Sequence, residues 1–324
     1  MTSLPPLLPA RAGAPDVVAF GENSLDFIGV VDELSMAPAT KRRLATFDVL
    51  PGGQMATAAA GCAALGCRAR YVGVFGDDEP GRASRAALAA RGVDVIAIER
   101  RAVPSRTAIV LVDRASGDRL VFEHRDARLK VSETELPLER LVDGRVLMLD
   151  ATDPAASLRA ARAARAAGVR TVVDVDRVAP DVDALLAEID VVVVPDQFIR
   201  TSTAEESLDL AFAKLDRRFP GRTLVVTKGR EGVEALVEGR RFSVPGHVRP
   251  EIPVVDTTGA GDAFRAGFVA KWLKDGAKAR IQDVLAYANA AAYLNCRARG
   301  AQSGLPTDSE VCDLLTTAHG RQSK

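Results

Sequence analysis

The chain has 324 residues, 27% charged and 47% hydrophobic, enough to bury one large core or two modest ones, which excludes disorder as its main state. Lys plus Arg and Asp plus Glu both total 43, so no basic excess exists to hold a nucleic-acid backbone. The longest β-branched run, Val191 to Val194, stops at Pro195 and Asp196, far short of the roughly 20 apolar residues of a membrane span.

The N-terminal stretch MTSLPPLLPARAGAP lacks a basic start and breaks its leucines with prolines. It is expected to be a flexible extension over residues 1–15 and not a signal peptide, which points to the cytoplasm. From Asp16, short β-branched runs alternate with longer Ala/Leu/Arg segments, the pattern of strands and crossover helices building a mostly parallel sheet. Strands are predicted at Val17 to Gly21, Ala69 to Val74, Val93 to Ile98, Val146 to Leu149, Thr171 to Val175, Val191 to Val194 and Thr223 to Thr227. Helices are predicted at Gln54 to Leu65, Arg82 to Ala90, Pro154 to Ala167, Ala204 to Asp216, Ala260 to Leu273 and Asp283 to Cys296. Two regions, Leu25 to Val49 and Thr107 to Arg125, break the rhythm, and the second reads as a hairpin turning at Ser116-Gly117-Asp118. Both are expected to be strands of a small lid, about 25–49 and 107–125, within a single domain spanning 16–324.

Cys62, Cys67, Cys296 and Cys312 form no CxxC and have no nearby histidine pair, so they read as free thiols. His124, His247 and His319 are too scattered for a metal cluster or a serine-histidine triad. Arg159, Arg162 and Arg165 share one helix face, which could touch phosphate but is the usual pattern of a solvated stripe.

The most informative segment is VVDTTGAGDAFRAGFVAKWL, from Val254. Gly259-Ala260-Gly261 turns the backbone into an apolar helix whose N-terminal amides and dipole favour an anion. Capping alone would explain Asp256 to Thr258, and Asp262 could be an ordinary first-turn dipole partner. A carboxylate beside an anion hole is nevertheless an electrostatic liability unless it takes a proton from a group attacking that anion, which is the work of a general base on an alcohol nucleophile. A dinucleotide-dependent dehydrogenase would need GxGxxG after the first strand, where this chain has GENSLD.

Asp256 to Phe264, DTTGAGDAF, resembles the C-terminal signature of the ribokinase-like carbohydrate kinases, or phosphofructokinase-B family. Pro51 to Gly81 resembles that family's N-terminal signature, and the likeness runs from about Asp16 to Pro306. The resemblance implies an α/β, three-layer fold with a mostly parallel central sheet and a small β-stranded lid. It also implies transfer of the ATP γ-phosphoryl group to a sugar hydroxyl, Mg2+ with the nucleotide, K+ at a monovalent-cation site, and a homodimer joined through the lid. Asp262 matches the catalytic base, and Gly259, Ala260 and Gly261 the anion hole. Gly52 and Gly53 match the turn against the sugar, with Gln54 beside them, and Asp26 the lid-side aspartate that grips hydroxyls. Thr227 to Gly232, with Gly229 inside it, resembles the nucleotide-contacting turn, and Asn289 falls on the helix expected at the adenine pocket. Gly300 to Pro306, including Gly304, resembles the loop that builds the cation site with the Asp256 and Thr258 carbonyls.

Departures bear on the substrate. Thr57 stands where many members have asparagine, and PDQFI, with Asp196 and Ile199, replaces an NxxE motif that helps hold Mg2+. The pattern is most similar to the sulfofructose and ketose kinase branch. With Arg106 opening the predicted hairpin and Arg125 closing it, a ketose with an anionic far end is the expected substrate. Asp150 is expected to touch it, while Asp153 is expected to cap the helix at Pro154. Asp174 and Asp176 are either near the Mg2+-phosphate region or satisfied strand-end carboxylates. A nucleoside or ribose kinase, and a non-catalytic sugar or nucleotide sensor, remain alternatives on the same fold.

Overall fold

The structure, a computed structural model, describes residues 4–34, 41–115, 119–179 and 181–319. Strand β1 (Val17–Phe20) opens the chain's main sheet, and β2 (Ser24–Val31) and β3 (Thr46–Gly52) then leave it to start the lid. Helix α1 (Gln54–Ala64), β4 (Ala69–Gly76), α2 (Glu79–Ala90) and β5 (Asp94–Arg100) return to the main sheet before β6 (Thr107–Asp113) and β7 (Arg119–His124) complete the lid. The expected hairpin turn at 116–118 lies outside the described residues. There follow α3 (Leu138–Leu141), β8 (Val146–Asp150), α4 (Pro154–Ala166), β9 (Arg170–Asp174), α5 (Val182–Leu186), β10 (Val191–Pro195), α6 (Asp196–Thr203), α7 (Leu208–Arg218) and β11 (Thr223–Thr227). A β12 (Val233–Val237) and β13 (Arg240–Val244) hairpin and helices α8 (Ala260–Asp275), α9 (Ile281–Asn295) and α10 (Asp308–His319) end it.

The main sheet has nine strands in the order β13-β12-β11-β10-β9-β8-β1-β4-β5, and only the β11-β12-β13 pairings are antiparallel. Its parallel strands are apolar on both faces, as strands covered by helices on both sides must be. Val17 and Ala19 of β1 point into one core with α1, α8 and α9, whereas Val18 and Phe20 point into a second core with α4 to α7. Close approach of the helices on the first face rests on small residues, since a Cβ on Gly61 of α1 would lie 2.7 Å from the Ala266 Cβ of α8. The lid is a separate four-stranded sheet, β3-β2-β6-β7; β6 and β7 fall inside the second expected region, whereas β2 starts one residue before and β3 ends three residues beyond the first.

Three sequence expectations change. The N-terminal segment is not loose over residues 4–15: Leu4 is buried, and Arg170 and Arg145 donate to the Pro6 and Leu8 carbonyls at 2.9 and 2.7 Å. Its prolines set an extended path that leaves those carbonyls unpaired within the segment and open to arginine donors. The helix expected over Ala204 to Asp216 begins only at Leu208, as α7, because Ala204 takes a left-handed conformation (φ 53°) that ends the separate α6. The β12–β13 hairpin was not anticipated; Glu238 and Gly239 both have positive φ, as a tight hairpin turn demands. Arg162 and Arg165 are exposed and pair with Glu188, as a solvated stripe would. All four cysteines are free, and among the described residues no helix is long and apolar enough to cross a membrane.

Candidate active site

Gly259 begins α8 with φ 75°, a left-handed conformation that favours glycine, and a Cβ there would stand 2.5 Å from the Ala301 carbonyl oxygen. The Ala260 amide donates to the Thr257 carbonyl at 3.2 Å, and the turn presents the following first-turn amides of a long helix, which have no carbonyl partner within that helix. Asp262 follows immediately. Arg265, buried one turn on, approaches Asp262 Oδ1 at 3.5 Å and donates to Asp174 at the end of β9. Burial first, and the Asp174 charge second, push the Asp262 carboxyl well above the usual range, with Arg265 opposing them.

Two clefts, each of about 590 Å³, meet at this turn. The first lies under the lid, and Asp26, Gly53, Gln54, Thr258, Gly259 and Asp262 line it. Asp26, from β2, is nearly buried, accepts from Ser24 Oγ at 2.7 Å, and is pushed up chiefly by that burial. Gly52 does not line the cleft but makes room for Asp26, because a Cβ on it would come within 2.0 Å of Asp26 Oδ2. Gly53 (φ 88°) turns the chain into α1, and Gln54 Nε2 donates to Asp176 Oδ2 at 3.3 Å.

Several expected substrate contacts serve other purposes. Thr57 is completely buried inside α1 and accepts from Gln302 Nε2 at 3.4 Å, so its change from asparagine does not face the cleft. Asp150 is buried at the end of β8, and its oxygens accept from the Glu22 and Thr152 amides at 2.7 and 3.0 Å. Asp153 occupies the N-cap position of α4 without capping it; its Oδ2 instead accepts from Arg125 at 2.8 Å and the Val131 amide at 3.0 Å. Arg106 and Arg125 do line the cleft under the lid, but neither offers an uncommitted charge to an anion. Arg106 pairs with Glu22 at 3.1 Å and Glu123 at 2.9 Å, and Arg125 pairs with Glu22 at 3.1 Å and Asp153 at 2.8 Å. Glu22 is only 12% exposed, and burial raises its pKa to about 7 against the pull of Arg106.

Thr227, Gly229, Gly232 and Asn289 come together in the second cleft, with Ala260 and Gly261 at its end. Asn289 directs its amide to the Val244 and Pro245 carbonyls at 3.3 and 3.2 Å, shaping the wall. Most of the remaining lining comes from 246–254 and from Tyr293, whose hydroxyl donates to the Ile252 carbonyl at 2.8 Å and accepts from the Arg249 amide at 2.9 Å. Sequence inspection missed this wall, since a Pro-rich segment without periodicity carries no signal until a tyrosine from a distant helix fixes it.

The loop expected to hold K+ is assembled differently. Asp256 Oδ1 accepts from the Thr258 amide and hydroxyl at 2.8 and 2.7 Å, and its Oδ2 accepts from the Gly300 amide at 2.9 Å. Gly304 packs so tightly that a Cβ would stand 2.0 Å from the Asn295 carbonyl oxygen. The buried Asn295 amide donates to the Thr258 and Ala301 carbonyls at 3.3 and 3.0 Å. Arg119, from the lid, donates to Thr258 Oγ1 at 2.7 Å and stands 3.7 Å from Asp256 Oδ1. The loop thus carries a guanidinium and N–H donors beside the expected cation position, while Asn295 Oδ1 and Gln302 Oε1 are buried there without a hydrogen-bond partner.

The sequence profile of the pfkB family carbohydrate kinases matches residues 14–308. The chain belongs to the PfkB family of carbohydrate kinases. This PfkB kinase is 31% identical over 323 residues to probable fructokinase-4 of Arabidopsis thaliana, covering 92% of this chain and 96% of that one. It is 32% identical over 269 residues to the ATP-dependent ribose-1-phosphate kinase of Halopiger xanaduensis, covering 82% and 86% of the two. In three dimensions it matches Arabidopsis thaliana ribokinase complexed with ribose and ATP, with a TM-score of 0.80, 25% identity and coverage of 93% and 99%. The fold is thus ribokinase-like, with a large mostly parallel sheet and a smaller lid sheet. Within this PfkB kinase the residues sequence inspection passed over are Glu22 and Arg119. Glu22 follows β1 after Gly21, at the carboxyl end of a parallel strand where ligands gather, and that position was the available signal.

Proposed function

We propose that the protein transfers the γ-phosphoryl group of ATP to a hydroxyl of a sugar, the sugar lying in the cleft under the lid and the nucleotide in the cleft beside Tyr293. The observation that carries this is the position of one turn. Gly259 and Asp262 line the first cleft while Ala260 and Gly261 line the second, so an anion hole and a raised carboxylate stand where two ligands would meet.

In this reading Asp262 accepts the proton of the attacking hydroxyl as the new O–P bond forms, and the bond from the γ-phosphorus to the bridging oxygen breaks to release ADP. The turn's amides receive charge on the transferring group. Asp26 and Gln54 orient the sugar hydroxyls. Of the strand-end carboxylates, Asp174 is bound by Arg265 and Asp196 by Arg200, whereas Asp176 is half exposed in the sugar-side cleft. One such carboxylate plus phosphate oxygens and water suits Mg2+, which Asp176 would help hold and which would neutralise the phosphates.

The outward face of the lid carries Phe47, Val49, Ile109 and Phe122, each between 45% and 58% exposed. Such an apolar row on a four-stranded sheet favours self-association through the lid, and we propose a homodimer there.

The test is ADP release measured over neutral sugars, sugar phosphates and nucleosides, with Asp262→Asn as control. Sugar-dependent release that Asp262→Asn removes is expected. Release only with nucleosides would move the assignment to a nucleoside kinase, and binding of sugar or nucleotide without release would make the protein a sensor.

A further inference from the structure

Two arginines converging on a ligand cleft ordinarily make an anion site, because each guanidinium offers paired donors to a phosphate, sulfonate or carboxylate. Here a carboxylate of the chain already occupies that place. Glu22 Oε2 lies 3.1 Å from Arg106 Nε, and Glu22 Oε1 lies 3.1 Å from Arg125 Nε. The outer nitrogens of the same guanidiniums pair with Glu123 and Asp153 at 2.9 and 2.8 Å. The Glu22 backbone is anchored too, its amide donating to Asp150 Oδ2 at 2.7 Å. Gly21 must stay a glycine for that anchor, since a Cβ there would fall 2.1 Å from Asp150 Oδ2. The cavity enclosed behind Glu22, Arg106 and Arg125 measures about 20 Å³, room for about one water and not for a phosphate.

We propose that Glu22 is a specificity-determining residue whose carboxylate fills the anion position between Arg106 and Arg125, so that the cleft takes a neutral sugar and rejects one bearing a phosphate or sulfonate. The proposal rests on the sugar-kinase reading above. A tethered carboxylate competes at high effective concentration with any free anion. An arriving phosphate would also meet Asp26 and Glu123, which line the same cleft. A neutral sugar meets the reverse situation, since its hydroxyls donate and the carboxylates accept. The arginines then act as the fixed support of Glu22 and not as its rivals for substrate. The related proteins point both ways, one named a fructokinase and another a ribose-1-phosphate kinase, so the choice falls to this chain's own residues.

The experiment compares kcat/KM for fructose and fructose 6-phosphate in the wild type, Glu22→Ala and Glu22→Gln. The wild type should prefer fructose by roughly tenfold or more, and the ratio should move toward fructose 6-phosphate by roughly tenfold or more in Glu22→Ala. Equal use of both sugars by the wild type, or an unchanged ratio in both variants, overturns the proposal. Should the alanine form fail to fold, the isosteric Glu22→Gln decides alone. A second arm titrates inorganic phosphate calorimetrically into the nucleotide-free protein. One additional binding site is expected in Glu22→Ala, lost again when Arg125→Ala is added, and its absence counts against Glu22 as the occupant. This arm needs no turnover, so it still decides the role of Glu22 if no sugar is phosphorylated and the kinase reading fails.

Discussion

Asp262 holds its proton more firmly than a solvated aspartate because burial and then the Asp174 carboxylate disfavour its ionised form. A general base works only when ionised. The rate should therefore fall as pH drops through a value well above the ordinary 3.9 or so of an aspartate, and this acid limb should persist in Glu22→Gln. Asp262→Asn keeps the shape and removes the proposed base, so kcat is expected to drop about 10²- to 10⁴-fold with a much smaller change in KM, measured by steady-state kinetics. The same shift has a stability consequence with a definite sign. For a group whose pKa is raised by folding, the stabilising contribution is fully present below the unfolded value and is lost as pH rises through the folded one. Asp262→Asn removes that loss, so at pH 8 the variant should melt higher, by about 1–2 °C if roughly 1 kcal/mol is recovered, as scanning calorimetry would record.

The turn from Asp256 to Asp262 and the loop from Gly300 to Gly304 act as one element, joined through Asp256, Asn295 and the Ala301 carbonyl. With the Arg119 guanidinium already beside Asp256 and Thr258, turnover should be the same in potassium and tetramethylammonium salts at matched ionic strength. A several-fold stimulation by potassium would mean that Asn295 yields its place to the cation. Elements of this kind are where sequence inspection reached furthest and also where it stopped. The glycines at 259 and 261 and the acid at 262 are legible because a tight turn, an anion hole and a base each demand a particular residue type. The strands of the parallel sheet are legible because Val191 to Val194 and several of its counterparts are apolar at nearly every position. VEALVEGRRFSV, by contrast, fits helix or strand until β11 supplies an edge to pair with. Arg106 and Arg125 looked like ligands because their partners, Glu22 and Asp153, lie far away in sequence and only folding brings four charges to one wall. Asn295 carried no signal at all, being one more residue near the end of an apolar helix.

At the scale of the molecule, the lid presents acids and arginines inward and an apolar row outward. If that row is the meeting surface of two copies, Phe47→Asp together with Ile109→Asp should halve the mass seen by light scattering without unfolding the main sheet. A wild type that is monomeric at micromolar concentration would instead leave the row as exposed surface. The placement of one glycine turn between two separate clefts has a kinetic corollary. If sugar and nucleotide occupy these two clefts as proposed, both can be resident together and neither must leave before the other enters. Transfer is then a single displacement within a ternary complex: double-reciprocal plots should intersect instead of running parallel, and a γ-phosphorus made chiral with oxygen isotopes and sulfur should emerge inverted in the sugar phosphate.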